Sequence, residues 1–313
     1  MNSNNHSSEV GQRVEKKQLA KVSTLVAQLP IFSLAAQNAT IPFKHSDGVC
    51  QYKIDVTGNL LCPVAQSILL QIISDAGLNG KRLLRKNADG RPAEILRRLA
   101  PDAENISTIV GDVAIVTVYH ADLVASTGLA DCEATSALVL RCLQGLSNVI
   151  IKTRDIATRL LAYSPLEDGN FNVVLSPGLS DAARFGGKYA GIRVDERNLL
   201  VTAEARLMHA WLSTKLWPGN KKTFPLWSLA QAVWPYPIRR GVPEWVTSAM
   251  ITQHFELLNN CGWKVTVSDE GVTIWRPGLG LPPRYGALHP FHPDYKPKKR
   301  RPTSRVSEVD LLP

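Results

Sequence analysis

The chain has 313 residues, of which 44% are hydrophobic and 20% charged, and its formal net charge is +9 at pH 7. The length predicts about two domains, and the positive charge favours a polyanionic partner such as nucleic acid. No apolar run approaches the length of a membrane span and no secretory signal opens the chain, which excludes membrane and secreted proteins. The five cysteines lack the paired spacing of a zinc site, so we expect reduced thiols in a cytoplasmic protein.

Residues 1–40 predict a flexible arm, because they are rich in Asn and Ser and then in charge. Within the arm, Gln28-Leu-Pro-Ile-Phe32 is similar to the QLxLF-type peptide by which bacterial replication proteins bind the sliding clamp. In that interpretation Gln28, Leu29, Ile31 and Phe32 occupy a groove with one polar and several apolar pockets. The alternative is that Ile31 and Phe32 simply pack on the first domain.

Residues 41–176 predict a first winged-helix domain. It begins with a hairpin over Ile41–Val56, turning at Asp47-Gly48. The hydrophobic periodicity then predicts, in order, helix Val64–Ala76, helix Pro92–Leu99, strand Val113–Val118, helix Tyr119–Thr127 closed by Gly128, and helix Glu133–Asn148. A basic segment begins after the first helix and continues into the second. It is either a phosphate-binding surface or an ordinary solvated face, and it contains Lys81, Arg82, Arg85, Lys86, Arg91, Arg97 and Arg98.

The helix over 133–148 carries the pattern of a DNA-recognition helix. Its apolar residues share one face, and the other face presents the row Ala137, Arg141, Gln144 and Asn148. Arginine can contact guanine, glutamine can contact adenine, and a small residue admits close approach to a thymine methyl group. The alternative is an ordinary solvent-facing surface.

A three-stranded wing is predicted after this helix. Val149–Lys152 and Arg159–Tyr163 are expected to pair, and Asn170–Leu175 can add a third strand. Lys152, Arg154 and Arg159 would then lie on or beside the wing, where they could contact DNA.

Residues 177–188 predict a linker, and residues 189–277 predict a second winged-helix domain. Its pattern contains helix Ala203–Leu216, helix Leu226–Val233 closed by Trp234-Pro235, helix Val242–Cys261 closed by Gly262, and a hairpin of Trp263–Val267 with Gly271–Trp275. The predicted fold class is therefore α+β, with two tandem winged helix-turn-helix domains. The expected DNA-binding residues here are Arg239, Arg240, Ser248 and Thr252. Residues 278–313 predict a mobile Pro-rich tail whose Lys296-Pro-Lys-Lys-Arg-Arg301 run binds phosphate without sequence preference.

The second half also resembles a known family. The stretches that carry the resemblance are Gly186-Gly187, Ile192-Arg-Val-Asp-Glu196, Ala205-Arg-Leu-Met-His209, Leu229-Ala-Gln-Ala-Val-Trp-Pro235, Leu258-Asn-Asn-Cys-Gly-Trp263 and Ile274-Trp-Arg-Pro277. They resemble the replication initiator C proteins of IncQ-type plasmids, and the likeness extends more weakly back to about Asp47. The resemblance implies a protein that binds iterons (direct repeats) at a plasmid origin, opens the adjacent duplex and engages the replicative helicase. It further implies a monomer on DNA, with an inactive dimer as an alternative form.

Several catalytic classes are excluded by missing motifs. Phe185-Gly-Gly-Lys188 lacks the earlier glycine and the following Ser or Thr of a phosphate-binding loop. No histidine pair accompanies a candidate nicking tyrosine, and no carboxylate cluster suits two-metal chemistry. We therefore expect no enzymatic activity, no cofactor and no bound metal. The alternatives are a winged-helix transcriptional regulator of plasmid genes and an enzyme of plasmid transfer or partition.

Overall fold

The computed structural model describes a mixed α and β protein. The described residues are 19–23, 26, 31–34, 42–47, 54–83, 91–100, 112–152, 157–185, 189–233, 253–268 and 271–278. Within them, no helix is long and apolar enough to cross a membrane.

The first half contains both strands and helices. They are β1 (Leu19–Ser23), β2 (Pro42–Asp47), β3 (Ile54–Asn59), α1 (Pro63–Asn79), β4 (Lys81–Leu83), α2 (Arg91–Leu99), β5 (Val113–Val118), α3 (His120–Thr127), α4 (Glu133–Asn148), β6 (Ile150–Lys152), β7 (Ala157–Arg159), β8 (Leu161–Pro165) and β9 (Phe171–Leu175).

The second half begins with a short helical segment. Its elements are α5 (Pro177–Ser180), a π-helical turn (Asp181–Phe185), β10 (Tyr189–Arg193), α6 (Val194–Asn198), α7 (Ala203–Lys215), β11 (Lys221–Phe224), α8 (Leu226–Val233), a 3-10 turn (Leu257–Cys261), β12 (Lys264–Ser268) and β13 (Gly271–Trp275).

Helix α1 is the central element of the molecule. Its sequence has apolar residues on every side, and eleven of its residues are buried. A helix that is hydrophobic all round belongs in an interior, and α1 packs against β1, β5, α3, α4 and α7. Because α1 contacts elements of both halves, it joins them into one hydrophobic core.

The strands of the first half form two four-stranded sheets, with orders β2-β3-β6-β7 and β4-β5-β9-β8. The first hairpin has a different register from the predicted one, because Asp47 pairs with Ile54 and the connection spans residues 48–53. The strand predicted over Asn170–Leu175 exists as β9, but it pairs with β5 and β8 and not with the wing hairpin. The chain leaves the first sheet after Arg159 and enters the second at Leu161, so the predicted strand over Arg159–Tyr163 divides in two.

The first half contains two consecutive helices followed by a hairpin. Helices α3 and α4 are joined by a short turn, in which Gly128 closes α3 with a φ of 72°. This left-handed conformation suits glycine because it has no Cβ. The observed bounds of α4 equal the predicted ones, and β6 and β7 form the expected antiparallel hairpin after it.

The predicted flexible arm and linker are partly structured. Within the arm, Leu19–Ser23 pairs antiparallel with β10 from the second half. Within the linker, residues 177–185 are helical, and Leu179, Ala182 and Ala183 are buried. The segment between the halves is therefore packed against the core through these apolar side chains.

The second half forms a three-stranded sheet with order β11-β13-β12. The predicted hairpin is confirmed, with Ser268 opposite Gly271 and a two-residue connection. Strand β11 was not predicted. The N-cap Thr202 accepts a hydrogen bond from the Ala205 N–H, and Gly262 closes the last turn before β12 with a φ of 80°. The long helix predicted over Val242–Cys261 is described only from Gln253, so its N-terminal part lies outside the described residues.

A buried polar cluster holds the second half together around the Glu196 carboxylate. Its Oε2 accepts hydrogen bonds from His209 Nε2 at 3.2 Å and Trp263 Nε1 at 3.1 Å, and its Oε1 pairs with Arg193 at 2.9 Å. Burial alone would raise the pKa of Glu196, but the bonds from His209 and Trp263 outweigh it and hold that pKa below its usual value. Burial lowers the pKa of His209, so the ring is neutral and donates from Nε2. These hydrogen bonds and the ion pair explain how a charged carboxylate is tolerated in this core.

Two arginines of the second half reach across to the first. Arg197 is fully buried and donates to Ser67 Oγ and, at 2.9 Å, to Gln66 Oε1 at the start of α1, while burial lowers its pKa to about 9. Arg206 donates to the Thr127 carbonyl oxygen at the end of α3, with an N···O distance of 2.6 Å. Both guanidinium groups tie the second half to the helices that position α4.

Candidate nucleic-acid interface

Helix α4 has one buried and one exposed face, as its sequence predicts. Val139, Cys142, Leu143 and Leu146 are buried against the core. The predicted contact residues all lie on the exposed face, which presents Ala137, Arg141, Gln144 and Asn148. The i, i+4, i+7 spacing thus places one polar row along the solvent side of the helix.

The Gln144 carboxamide is held in position by two neighbours. Its Oε1 accepts a hydrogen bond from the Tyr163 hydroxyl at 3.2 Å, and its Nε2 donates to Asn148 Oδ1 at 3.3 Å. A carboxamide has two donor hydrogens and two acceptor lone pairs, so one of each remains for an adenine edge. Sequence reasoning missed Tyr163, because its position beside α4 depends on the strand pairing of β8.

The basic residues of the wing hairpin have different surroundings. Lys152 is exposed at the end of β6, whereas Arg154 lies outside the described residues. Arg159 is half-buried and donates from its guanidinium to the Ser147 carbonyl oxygen at 3.1 Å. A cation at this position satisfies a carbonyl in the last turn of α4 and interacts favourably with the helix dipole. Arg159 therefore fixes the hairpin to the helix.

Helix α2 carries positive charge at the edge strand β8. Arg97 and Arg98 are exposed, and Arg98 donates to the Tyr163 carbonyl oxygen at 3.4 Å. It also pairs with Glu94 at 2.8 Å. Helix α2 packs on Ala162 and Val174, whereas α4 lies on the other face of that sheet, so Arg98 meets the Tyr163 backbone at the sheet edge.

The N-terminus of α4 is acidic. Asp131 and Glu133 are exposed there, and both would repel a phosphate group. The positive and amide side chains begin at Arg141, in the second half of the helix. We therefore expect DNA contacts from Arg141 onward.

Two thiols meet on the buried side of α4, one from α4 itself and one from the residue before α1. The Sγ atoms of Cys62 and Cys142 are 3.8 Å apart. The hydrogen bond from Cys142 lowers the pKa of Cys62 to about 6, whereas the same pairing and burial raise the pKa of Cys142. Within the described part of the chain, no group of three His, Cys, Asp or Glu side chains could hold a metal ion.

The predicted contacts of the second half and of the arm are only partly visible. Arg239, Arg240, Ser248 and Thr252 lie outside the described residues, as do Gln28 and Leu29. Ile31 is fully buried and Phe32 is 9% exposed, and both belong to the main core. The Leu61 N–H donates to the Ile31 carbonyl oxygen at 2.7 Å, and the Ser33 N–H donates to the Leu61 carbonyl oxygen at 2.9 Å. These contacts favour the packing alternative for this peptide over sliding-clamp binding.

Comparison with known proteins identifies the family. The model of the replication protein C (RepC) family matches residues 58–277. Among solved structures, the chain is similar to a crystal structure of domains 2 and 3 of RctB, with 8% sequence identity, a TM-score of 0.44 and coverage of 81% of this chain and 97% of that chain. A comparison with curated proteins finds no match. Because the family match spans α4, its hairpin and the Glu196 cluster, the chain belongs to the replication protein C family and is a replication initiator.

Proposed function

We propose that this chain initiates replication of a plasmid, of the IncQ type, by binding iterons in the duplex at the origin. The observation that carries the proposal is the exposed row on α4, in which Arg141, Gln144 and Asn148 follow one another along a helix whose other face is buried. A helix-turn-helix with a following hairpin is the arrangement that winged-helix proteins use to place a helix in the major groove.

The chemistry of the row suits direct reading of bases. The Arg141 guanidinium can donate two hydrogen bonds to guanine O6 and N7, and the Gln144 carboxamide can pair with adenine N6 and N7. Tyr163 orients Gln144 before DNA arrives, so less conformational entropy is lost on binding. Lys152 contributes attraction to the phosphate backbone, which is independent of sequence.

We further propose that both halves act as tandem winged-helix domains on one repeat. Arg239, Arg240, Ser248 and Thr252 would supply the contacts of the second domain. Two modules on successive major-groove segments would cover roughly two helical turns of about 10 bp each, with the protein bound as a monomer. The bound chain would then help to melt the adjacent duplex and recruit the replicative helicase, acting by binding and not by catalysis.

A footprint on plasmid DNA is the first test. Protection of direct repeats supports the proposal, whereas protection of a single palindrome would indicate a transcriptional regulator, and strand cleavage would indicate an enzyme.

Substitution of Arg141 is the second test, measured by fluorescence anisotropy on a repeat and on a random duplex of equal length. Arg141→Ala should weaken repeat binding by about 1–3 kcal/mol and leave random-duplex binding nearly unchanged. The matched control is Arg184→Ala, which removes an exposed arginine from the segment between the halves. Equal losses on both duplexes for Arg141→Ala would reduce Arg141 to a phosphate contact and contradict direct readout.

A further inference from the structure

The sheet of the second half has one face that the core does not cover. Along β13, Val272 and Ile274 are fully buried, whereas Thr273 and Trp275 are partly exposed. Side chains alternate between the two faces of a strand, so one face of the sheet packs on the core and the other meets solvent.

The solvent face carries positive charge, an aromatic ring and hydroxyl groups. The strand register places Lys221 and Lys264 on either side of Trp275, and the Lys264 Nζ lies 5.4 Å from the Trp275 ring centroid. The next row contains three threonines, Thr223, Thr273 and Thr266, of which the first two have Oγ1 atoms 2.7 Å apart. None of the residues in β11, β12 or β13 is acidic. The rows therefore form a positively charged strip that ends in a line of hydroxyls.

A turn at the edge of this face holds a tryptophan in solvent. Trp217 is 67% exposed, and it begins the turn Trp217-Pro-Gly-Asn220. The Asn220 N–H donates to the Trp217 carbonyl oxygen at 3.1 Å, and Gly219 has a φ of 85°, as a type II turn requires. Two further hydrogen bonds, each of 2.9 Å, join the turn to Arg276. The Gly219 N–H donates to the Arg276 carbonyl oxygen, and the Arg276 N–H donates to the Asn220 carbonyl oxygen. These bonds hold the backbone of the turn next to the strand ends that carry Lys221 and Trp275, and the Trp217 side chain is exposed there.

Exposed indole, lysine and hydroxyl groups together match the chemistry of an unpaired nucleic-acid strand. Lysines attract the phosphates, and an aromatic side chain stacks on a base without selecting its identity. In a duplex the faces of the bases are covered by their stacked neighbours, so Trp217 could use its ring only on an unpaired base. The basic run Lys296–Arg301 also follows this sheet in the sequence.

We propose that this face, together with Trp217, binds single-stranded DNA, with the sugar-phosphate backbone along Lys221 and Lys264 and a base stacked on Trp217. This activity goes beyond duplex recognition by α4 and does not depend on it. It gives the chain a surface for one strand of an opened duplex.

The test measures anisotropy of the full-length protein with labelled oligothymidylate, with an abasic strand of the same length, and with a random duplex. Trp217→Ala should weaken oligothymidylate binding about tenfold. It should leave binding of the abasic strand and the duplex unchanged, and Trp217→Phe should restore most of the loss. The double variant Lys221→Ala/Lys264→Ala should weaken both single strands and reduce the salt slope by about 1.4, since each phosphate contact contributes about 0.7.

Two control variants separate this surface from other parts of the protein. Every variant retains the basic tail, so the tail does not account for a difference between variants. Tyr119→Ala removes another exposed aromatic ring and should not change oligothymidylate binding. Arg141→Ala should weaken repeat duplex and leave single-strand binding intact, so failure of either proposal is visible without the other. Three outcomes would each overturn the proposal. The first is no binding of oligothymidylate, and the second is that Trp217→Ala weakens binding of the abasic strand as much as binding of oligothymidylate. The third is that the lysine variant loses as much affinity for the duplex as for the single strands.

Discussion

Replacing Glu196 tests how much the buried polar cluster contributes to stability. The carboxylate accepts side-chain hydrogen bonds from His209 and Trp263 and forms an ion pair with Arg193. A glutamine whose oxygen occupies the Oε2 position keeps the first two bonds but directs its NH₂ group at Arg193. Since a hydrogen bond to a charged group contributes about 1.5–3 kcal/mol, Glu196→Gln should reduce the free energy of unfolding by about 2–3 kcal/mol. Glu196→Ala leaves the His209 and Trp263 donors unpaired, whereas Arg193 keeps its ion pair with Asp195, and it should cost about 3–5 kcal/mol.

The measurement is urea denaturation followed by circular dichroism, with the midpoint compared at constant slope. Glu256→Gln is the matched control, because that carboxylate is exposed, and its effect should stay within about 0.5 kcal/mol. A double-mutant cycle with Trp263→Phe, which removes the indole N–H, should give a coupling energy of about 0.5–3 kcal/mol. Equal midpoints for Glu196→Gln and Glu256→Gln would refute the role assigned to the cluster.

Two further predictions each concern a single side chain, one buried and one partly buried. Ile31→Ala should lower the free energy of unfolding by about 2–4 kcal/mol, because Ile31 is fully buried. An unchanged urea midpoint would instead favour a peptide held out for the sliding clamp. For Asp75, burial raises the pKa to about 6, so the folded state binds the proton more tightly than the unfolded state and stability falls as pH rises from about 4 to 6. Asp75→Asn should remove this slope and stabilise the protein at pH 7 by on the order of 1–2 kcal/mol, since the group is partly exposed. Denaturation at several pH values checks the sign, and parallel curves for the two proteins would contradict it.

Elements that depend on near neighbours were predictable from the sequence. The bounds of α4 and the exposure of Arg141, Gln144 and Asn148 follow from its apolar periodicity, which relates residues three and four apart. The β12–β13 hairpin follows from alternation around a two-residue connection. In each case the pattern and the structure that it specifies lie within a few residues of each other.

Elements that depend on distant partners were not predictable. Leu19–Ser23 has the polar surroundings of a flexible arm, and it becomes a strand because β10 supplies hydrogen bonds from about 170 residues further on. Strand β9 was predicted to extend the wing because it is near in sequence, whereas the structure places it between β8 and β5, and β5 lies more than 50 residues earlier in the chain. Tyr163 could not be identified as the residue that orients Gln144, because only the fold of β8 brings its hydroxyl to α4.

The sequence by itself determined the amphipathic helices, the two-residue hairpin and the positive charge, and its resembling stretches indicated the family. It did not show why those stretches matter. Arg193 and Glu196 come from one stretch, His209 from a second and Trp263 from a third, and only the tertiary structure brings them into one buried cluster. The physical reason is that a buried carboxylate is stable only when donors surround it, and donors from separate elements meet only after the chain has folded.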